Sequence, residues 1–135
     1  MTATTSTHGI DAVRAGFDAV AAKDLPAFAA AFHPDATWNH RNDDRLGGVH
    51  GGLEAIVAFL RESIQLTGGT LSAVPQTFMP DEAGHVAVLT RVSGSRPDGR
   101  TFDDTQLILF TLDTGLIRSV DQFIGDPSAV TAFWA

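Results

Sequence analysis

Apolar residues recur along the first third of the chain at spacings of three and four. Ile10, Val13, Phe17, Val20 and Ala21 form one stripe, and Leu25, Phe28, Ala29 and Phe32 form a second. That period predicts two amphipathic helices, one over 10–22 and one entered through Asp24 as N-cap, with Pro26 in its first turn. Thr7 is a candidate cap for the first. A third stripe, Leu53, Ile56, Val57, Leu60 and Ile64, predicts another helix, closed by Thr67-Gly68-Gly69. Between the second and third stripes Pro34 stops the helical period. "HPDATWNH" then reads as a short extended run with Trp38 and His40 on one face and Thr37 and Asn39 on the other.

Beyond Gly69 the pattern changes. Four segments, 70–79, 85–93, 101–112 and 116–124, are rich in Val, Leu, Ile, Thr and Phe and are separated by the turn sequences "PDEAG", "RPDGR" and "LDTG". Short Gly/Asp-rich connections join antiparallel neighbours, so the second half is expected to be a four-stranded meander, with one helical turn in "DPSAVTAFWA". Three helices packed on a long, curved, mostly antiparallel sheet make an α+β fold, a cone-shaped barrel with a pocket at its open end. With 135 residues, too few for two ordinary cores, the expected organisation is one domain over 10–135 behind a flexible tail at 1–9.

Composition then removes several kinds of partner. Sixteen acidic residues against nine basic ones give a formal charge of −7, the wrong sign for gripping nucleic acid, and no Lys/Arg cluster offsets it. No apolar run is long enough to span a membrane and "MTATTSTHG" lacks the features of a secretion signal, so the cytoplasm is the expected location. Cysteine is absent, which excludes disulfides and thiolate chemistry. The five histidines show neither His-x-His nor His-x-x-x-His spacing, and "GGVHGG" lacks the Lys-Ser/Thr of a phosphate loop. No metal and no other cofactor is expected.

Three stretches, "AAKDLPAFAAAFHPDATW", "GGVHGGLEAIVAFL" and "DTGLIRSVDQFIGD" with the closing "FW", resemble the nuclear transport factor 2-like superfamily. Within it they are similar to the SnoaL-like group of polyketide cyclases, ketosteroid isomerases and limonene-type epoxide hydrolases, over Ile10 to Trp134. The resemblance implies that Trp38 and His40 stand in the pocket wall, His40 at the position of the isomerases' general-base aspartate. The isomerases' oxyanion-hole tyrosine and protonated aspartate match Gly16 and Ile108, which disfavours steroid isomerisation. The Arg-x-Asp of the epoxide hydrolases falls on Arg91 to Ser93, and their water-holding tyrosine and asparagine on Trp38 and His40. Their last-strand aspartate falls on Asp121, where the cyclases similarly rely on an acid/base aspartate.

The catalytic set implied by this resemblance is Asp121 as acid/base, Arg91 orienting it, and His40 as a second proton carrier. The expected pocket lining is Phe17, Trp38, His50, Leu60, Phe78, Leu89, Gln106 and Phe110. Strand alternation leaves Asp121 on either the cavity face or the solvent face, because both alternating sets of 116–124 are mixed. Residues 41–45 are expected as a polar, mobile rim loop, and His50 as a lid residue or an ordinary loop histidine. The implied function is that of a cofactor-independent acid/base enzyme, a cyclase, isomerase or epoxide-opening enzyme acting on an apolar polyketide- or terpenoid-like small molecule. The alternative is a non-catalytic small-molecule binder or structural homodimer of the same fold. An uncovered apolar sheet face makes a homodimer the expected assembly in either case.

Overall fold

The computed structural model describes residues 2–135, with side chains from Ile10 onward. Helix α1 runs Thr2–Ala22 and α2 Leu25–Ala30; strands β1, Phe32–Arg41, and β2, Gly48–Gly51, lead into α3, Leu53–Leu66. The chain then forms β3, Ser72–Pro80, β4, His85–Ser95, β5, Thr101–Asp113, and β6, Leu116–Phe123, and closes with α4, Pro127–Trp134. The three predicted helices and four predicted strands are all present. Helix α1 extends back to Thr2, through the stretch expected as a tail, so Thr7 falls inside it and not at its start; the side chains of residues 1–9 lie outside the described residues.

Local chemistry sets the helix ends. The Asp24 carboxylate accepts a hydrogen bond from Ala27 N at 3.1 Å, with Pro26 in the first turn of α2. The same Asp-Pro device opens α4, where Asp126 accepts from Ala129 N at 3.2 Å. That second cap carries α4 over eight residues where a single turn was expected. Helix α3 ends at Thr67 and the chain leaves through Gly68 and Gly69, both at positive φ.

The six strands lie in one open mixed sheet of order β2-β1-β6-β5-β4-β3. The meander β3 to β6 is antiparallel throughout, while β1 joins its last strand in parallel, with Trp38 opposite Val120 and His40 opposite Gln122. Strand β2 was not expected. Its four residues include two glycines and show no alternation, and it is held by backbone pairing to β1, His50 opposite Trp38. The helices cover the concave face, burying Val13, Phe17, Phe28, Ile56 and Leu60 against Val88, Ile108, Phe110 and Val120. A second apolar cluster of Leu46, Phe59, Val92, Phe102, Phe133 and Trp134 lies beneath α4, and Trp38 packs against both clusters.

Strand parity decides what faces the concave side. On β4 and β5 the buried positions are the even-numbered Val86, Val88, Thr90, Val92, Phe102, Asp104, Gln106, Ile108 and Phe110. On β6 Ile117 is buried, but pairing with both neighbours shifts next to it, so Val120 and Gln122 are buried further along while Asp121 turns outward. One irregular residue thus moves every later side chain to the opposite face.

The turn from β6 into α4 depends on Gly125. A Cβ there would sit 2.2 Å from Thr105 O and 2.7 Å from Asp104 Oδ1. We expect Gly125→Ala to lower the unfolding free energy by about 2–3 kcal/mol, as overpacking against backbone does. Gly51→Ala, where nothing lies within 4 Å, should cost under ~1 kcal/mol. Equal urea midpoints for the two variants would contradict the close approach.

Candidate active site

Between the helices and the sheet lies a cavity of about 80 Å³ with almost wholly apolar walls. Val13, Gly16 and Phe17 line it from α1, Phe59 and Leu60 from α3, and Val92, Phe102, Ile108 and Phe110 from the sheet, while Trp134 reaches it from α4. An apolar cavity that holds benzene has roughly 150 Å³. A ring-sized ligand therefore requires a wall to shift. Leu46, in the connection between β1 and β2, and Trp134 belong to wall segments that no sheet ladder restrains.

The polar groups of this wall form one connected chain. Gln122 Oε1 accepts from the Trp38 indole N–H at 2.9 Å and faces His40 Nδ1 at 3.0 Å. Gln122 Nε2 donates to Gln106 Oε1 at 2.7 Å, and Gln106 Nε2 donates to Asp104 Oδ2 at 3.1 Å. Asp104 also accepts the backbone N–H groups of Gly125 and Asp126 at 3.1 and 3.0 Å. At the other end His40 Nε2 lies 2.9 Å from Asp44 Oδ2, and the two side chains are 3% and 0% exposed.

The polarity of the chain follows from its ends. Trp38 can only donate, and the Asp104 carboxylate accepts, so neither glutamine amide can be reversed without setting donor against donor or acceptor against acceptor. Gln122 therefore presents its oxygen to His40, and Nδ1 must carry a hydrogen. Asp44 accepts from Asn42 Nδ2 at 2.7 Å and Leu46 N at 2.8 Å as well as facing His40. A carboxylate with three such neighbours stays ionised, so both ring nitrogens of His40 face acceptors within the protein. Burial pushes the Asp44 carboxyl up, but hydrogen bonds from His40 and Asn42, the charge on His40 and the Leu46 N–H outweigh it and hold it below the ordinary carboxylate value.

The structure brings together some of the expected site residues and separates others. His40, Trp38, Phe17, Leu60, Gln106 and Phe110 line the cavity, as do Gly16 and Ile108, the positions matching the isomerases' other two catalytic groups. Asp121 does not. It lies on the outer face, bonded to Arg41 Nη2 at 2.8 Å, because the irregularity at the start of β6 reverses the parity. Arg91 also faces outward and pairs with Asp103, not Asp121, since it occupies an odd position on β4. Leu89 shares that outer face. Phe78 does not line the cavity; it packs edge-on against Phe17 at 6.3 Å, and the Arg14 guanidinium lies over its ring at 4.4 Å. His50 stacks on Phe59 at 4.4 Å and pairs with Leu46 O at 2.8 Å, so it supports the wall from behind.

Asp44, Gln122 and Asp104 belong to the chain but were not expected in the site. Asp44 sat within the expected rim loop, yet its side chain is fully covered, and the loop is tied to α4 through Asn42 and Thr131 at 3.1 Å. Its spacing of four from His40 was the available signal. Among the described residues no group of three or more His, Asp or Glu is placed to hold a metal ion. No described helix is long and apolar enough to cross a membrane.

An open six-stranded sheet whose concave face encloses an apolar cavity with one buried polar seam defines a class of small cone-shaped α+β proteins. Within it this chain belongs to the SnoaL-like domain family, whose model matches residues 13–120. An uncharacterized protein of Mycobacterium tuberculosis is 31% identical over 126 residues, covering 93% of this chain and 95% of the relative. The solved structure of Bal32a, from a soil-derived mobile gene cassette, is similar at a TM-score of 0.93 and 27% identity, covering 97% of this chain and 99% of that one. TerC, co-crystallized with polyporic acid, shares the fold at a TM-score of 0.82 and 22% identity, over 93% of this chain and 97% of its own.

The Asp44 carboxylate gives the fold a pH signature. Its folded value is depressed, so its stabilisation is complete above about pH 5, where the unfolded aspartate (~3.9) is ionised, and is lost as pH falls through the lower folded value. Asp44→Asn should cost about 3 kcal/mol at pH 7, the order expected for breaking a buried pair. The gap from wild type should narrow below about pH 4. Urea midpoints between pH 7 and pH 2 test this; a pH-independent gap would place the Asp44 charge outside the pair.

Proposed function

We propose that this protein binds an apolar small molecule in the cavity and acts on it by cofactor-independent chemistry of the cyclase or isomerase type. The observation that carries the reading is the buried His40–Asp44 pair at the polar end of an otherwise apolar cavity. Ring closures and isomerisations of carbonyl compounds pass through enols or enolates. A ring that donates from both nitrogens puts positive charge in a water-excluded site, where it lowers the energy of the negative charge that develops on oxygen. Membership of the SnoaL-like family and the ligand held by the TerC structure support the same reading. Asp121 and Arg91, on the outer face, take no part in it.

A direct test is hydrogen–deuterium exchange α to the carbonyl of cyclopentanone in buffered D₂O, in which the buffer base takes the α proton and the deuteron returns from solvent, followed by NMR. Wild-type protein should accelerate exchange above the buffer rate, and His40→Gln should remove about 10²- to 10³-fold of that acceleration. Exchange at the buffer rate with the ketone bound would overturn the enzymatic reading. The binding-protein alternative would then stand, and one observation favours it: both nitrogens of His40 are already engaged within the protein.

The outer sheet face supports a homodimer. Leu89, Leu107 and Phe123 stand opposite one another across β4, β5 and β6, with Leu107 and Phe123 39% and 40% exposed. The stripe is flanked by the pairs Arg91–Asp103 and Arg41–Asp121, and the Arg41 guanidinium lies 5.0 Å over the Phe123 ring. Flanks that carry both signs let a second copy of the chain, turned about a two-fold axis, meet opposite charge on each side of a shared apolar stripe. Leu107→Lys should convert a dimeric mass in light scattering to a monomeric one; a monomeric wild type would remove the proposal.

A further inference from the structure

The hydrogen-bond polarity of the buried seam says what kind of ligand atom the cavity is built to meet. Each glutamine amide nitrogen carries two hydrogens. One hydrogen of Gln122 Nε2 goes to Gln106 Oε1, and one of Gln106 Nε2 goes to Asp104. Among the described residues the remaining hydrogen of each has no protein acceptor, and both side chains line the cavity. Gln122 Oε1 is saturated by Trp38 and His40. Ser63, also on the wall, gives its own hydrogen to Phe59 O at 2.8 Å.

We propose that Gln106 and Gln122 form a two-donor seat for a carbonyl oxygen, so that the ligand is an apolar molecule carrying a ketone-type carbonyl at its inner end. The inference rests on the reading of the cavity as a ligand site and adds the substrate class. Gln106 on β5 and Gln122 on β6 lie diagonally across adjacent strands, with Ile108 directly opposite Gln122, so their amide groups converge on one side of the sheet. His40 Nδ1 donates to Gln122 Oε1, which polarises that amide and strengthens its N–H as a donor. His40 thereby acts through Gln122 as a positioning residue. A hydrocarbon would leave both donors unpaired in an apolar enclosure, and a carbonyl oxygen, with two lone pairs, satisfies both.

The test uses two probes of the same ring, cyclopentanone and methylenecyclopentane, titrated into the ¹⁵N-labelled full chain. We expect the ketone to bind roughly tenfold tighter or more, the discrimination that one net hydrogen bond supplies. The side-chain amide resonances of Gln106 and Gln122 should move with the ketone and stay still with the hydrocarbon. Gln122→Glu keeps the oxygen that Trp38 and His40 require and replaces the donating amide nitrogen by an acceptor oxygen facing Gln106, and Gln106→Met removes the other donor at similar volume. In each variant the preference should shrink toward unity while hydrocarbon affinity stays within about twofold. If either variant fails to fold, the wild-type amide shifts decide the matter alone. Equal affinities for the two probes, no binding of the ketone, or a preference that survives both variants overturns the proposal. Because the readout is binding, a ketone preference without α-exchange would fail the catalytic reading and leave the carbonyl seat standing.

Discussion

One amide oxygen, Oε1 of Gln122, holds the interior of this protein in its arrangement. It takes the indole N–H of Trp38 and the Nδ1–H of His40 from β1, and its own amide hands the polarity on through Gln106 to Asp104. Without that acceptor a buried donor on His40 and a part-buried one on Trp38 would face an apolar enclosure, the buried one costing about 1–3 kcal/mol. With it, no buried side-chain polar atom among the described residues lacks a partner. The donor and acceptor roles along the seam, including the hydrogen on His40 Nδ1, follow from which way this amide is turned.

Both ends of the seam are closed by backbone that approaches too closely for any side chain. At one end a Cβ on Gly47 would sit 2.1 Å from Asn42 O, in the turn that brings Asp44 under His40. At the other, Gly125 lets the chain fold onto Asp104 so that two backbone N–H groups reach its carboxylate. The seam therefore ties together three parts of the chain that secondary structure alone leaves separate: the loop after β1, the centre of the sheet, and the entry to α4.

Most of the fold was legible because it is written in periods. The apolar stripes of α1, α2 and α3, the Asp24 and Pro26 signal, and the Gly/Asp turns of the meander each depend on a few neighbouring residues. What was not legible depends on partners far away. Strand β2 exists because β1 offers it a ladder, and its own residues carry no pattern. The outward turn of Asp121 comes from one irregular residue after Ile117; counting in twos from Ile117 puts Asp121 inside, and the shift in pairing puts Gln122 there instead. Resemblance to the epoxide hydrolases and cyclases directed attention to Asp121, while the polar residues at the wall are glutamines, which announce no chemistry until their hydrogen bonds are followed. Asp44 looked like part of a wet loop because the neighbouring residues are polar too.

The parallel junction of β1 and β6 has a consequence for when the site exists at all. Strands β3 to β6 pair through short turns, so their contacts are local, but Trp38 and His40 reach Gln122 across separations of 84 and 82 residues. Closing so large a loop carries an entropic cost that the hairpins do not bear, and contacts of this range are slow to form. The meander can assemble while the seam is still open, leaving Gln122 and Gln106 facing water. The cavity acquires its complete polar seam only when the first strand docks against the last, so the chemistry of this protein is a property of its completed topology and of no part of the chain alone.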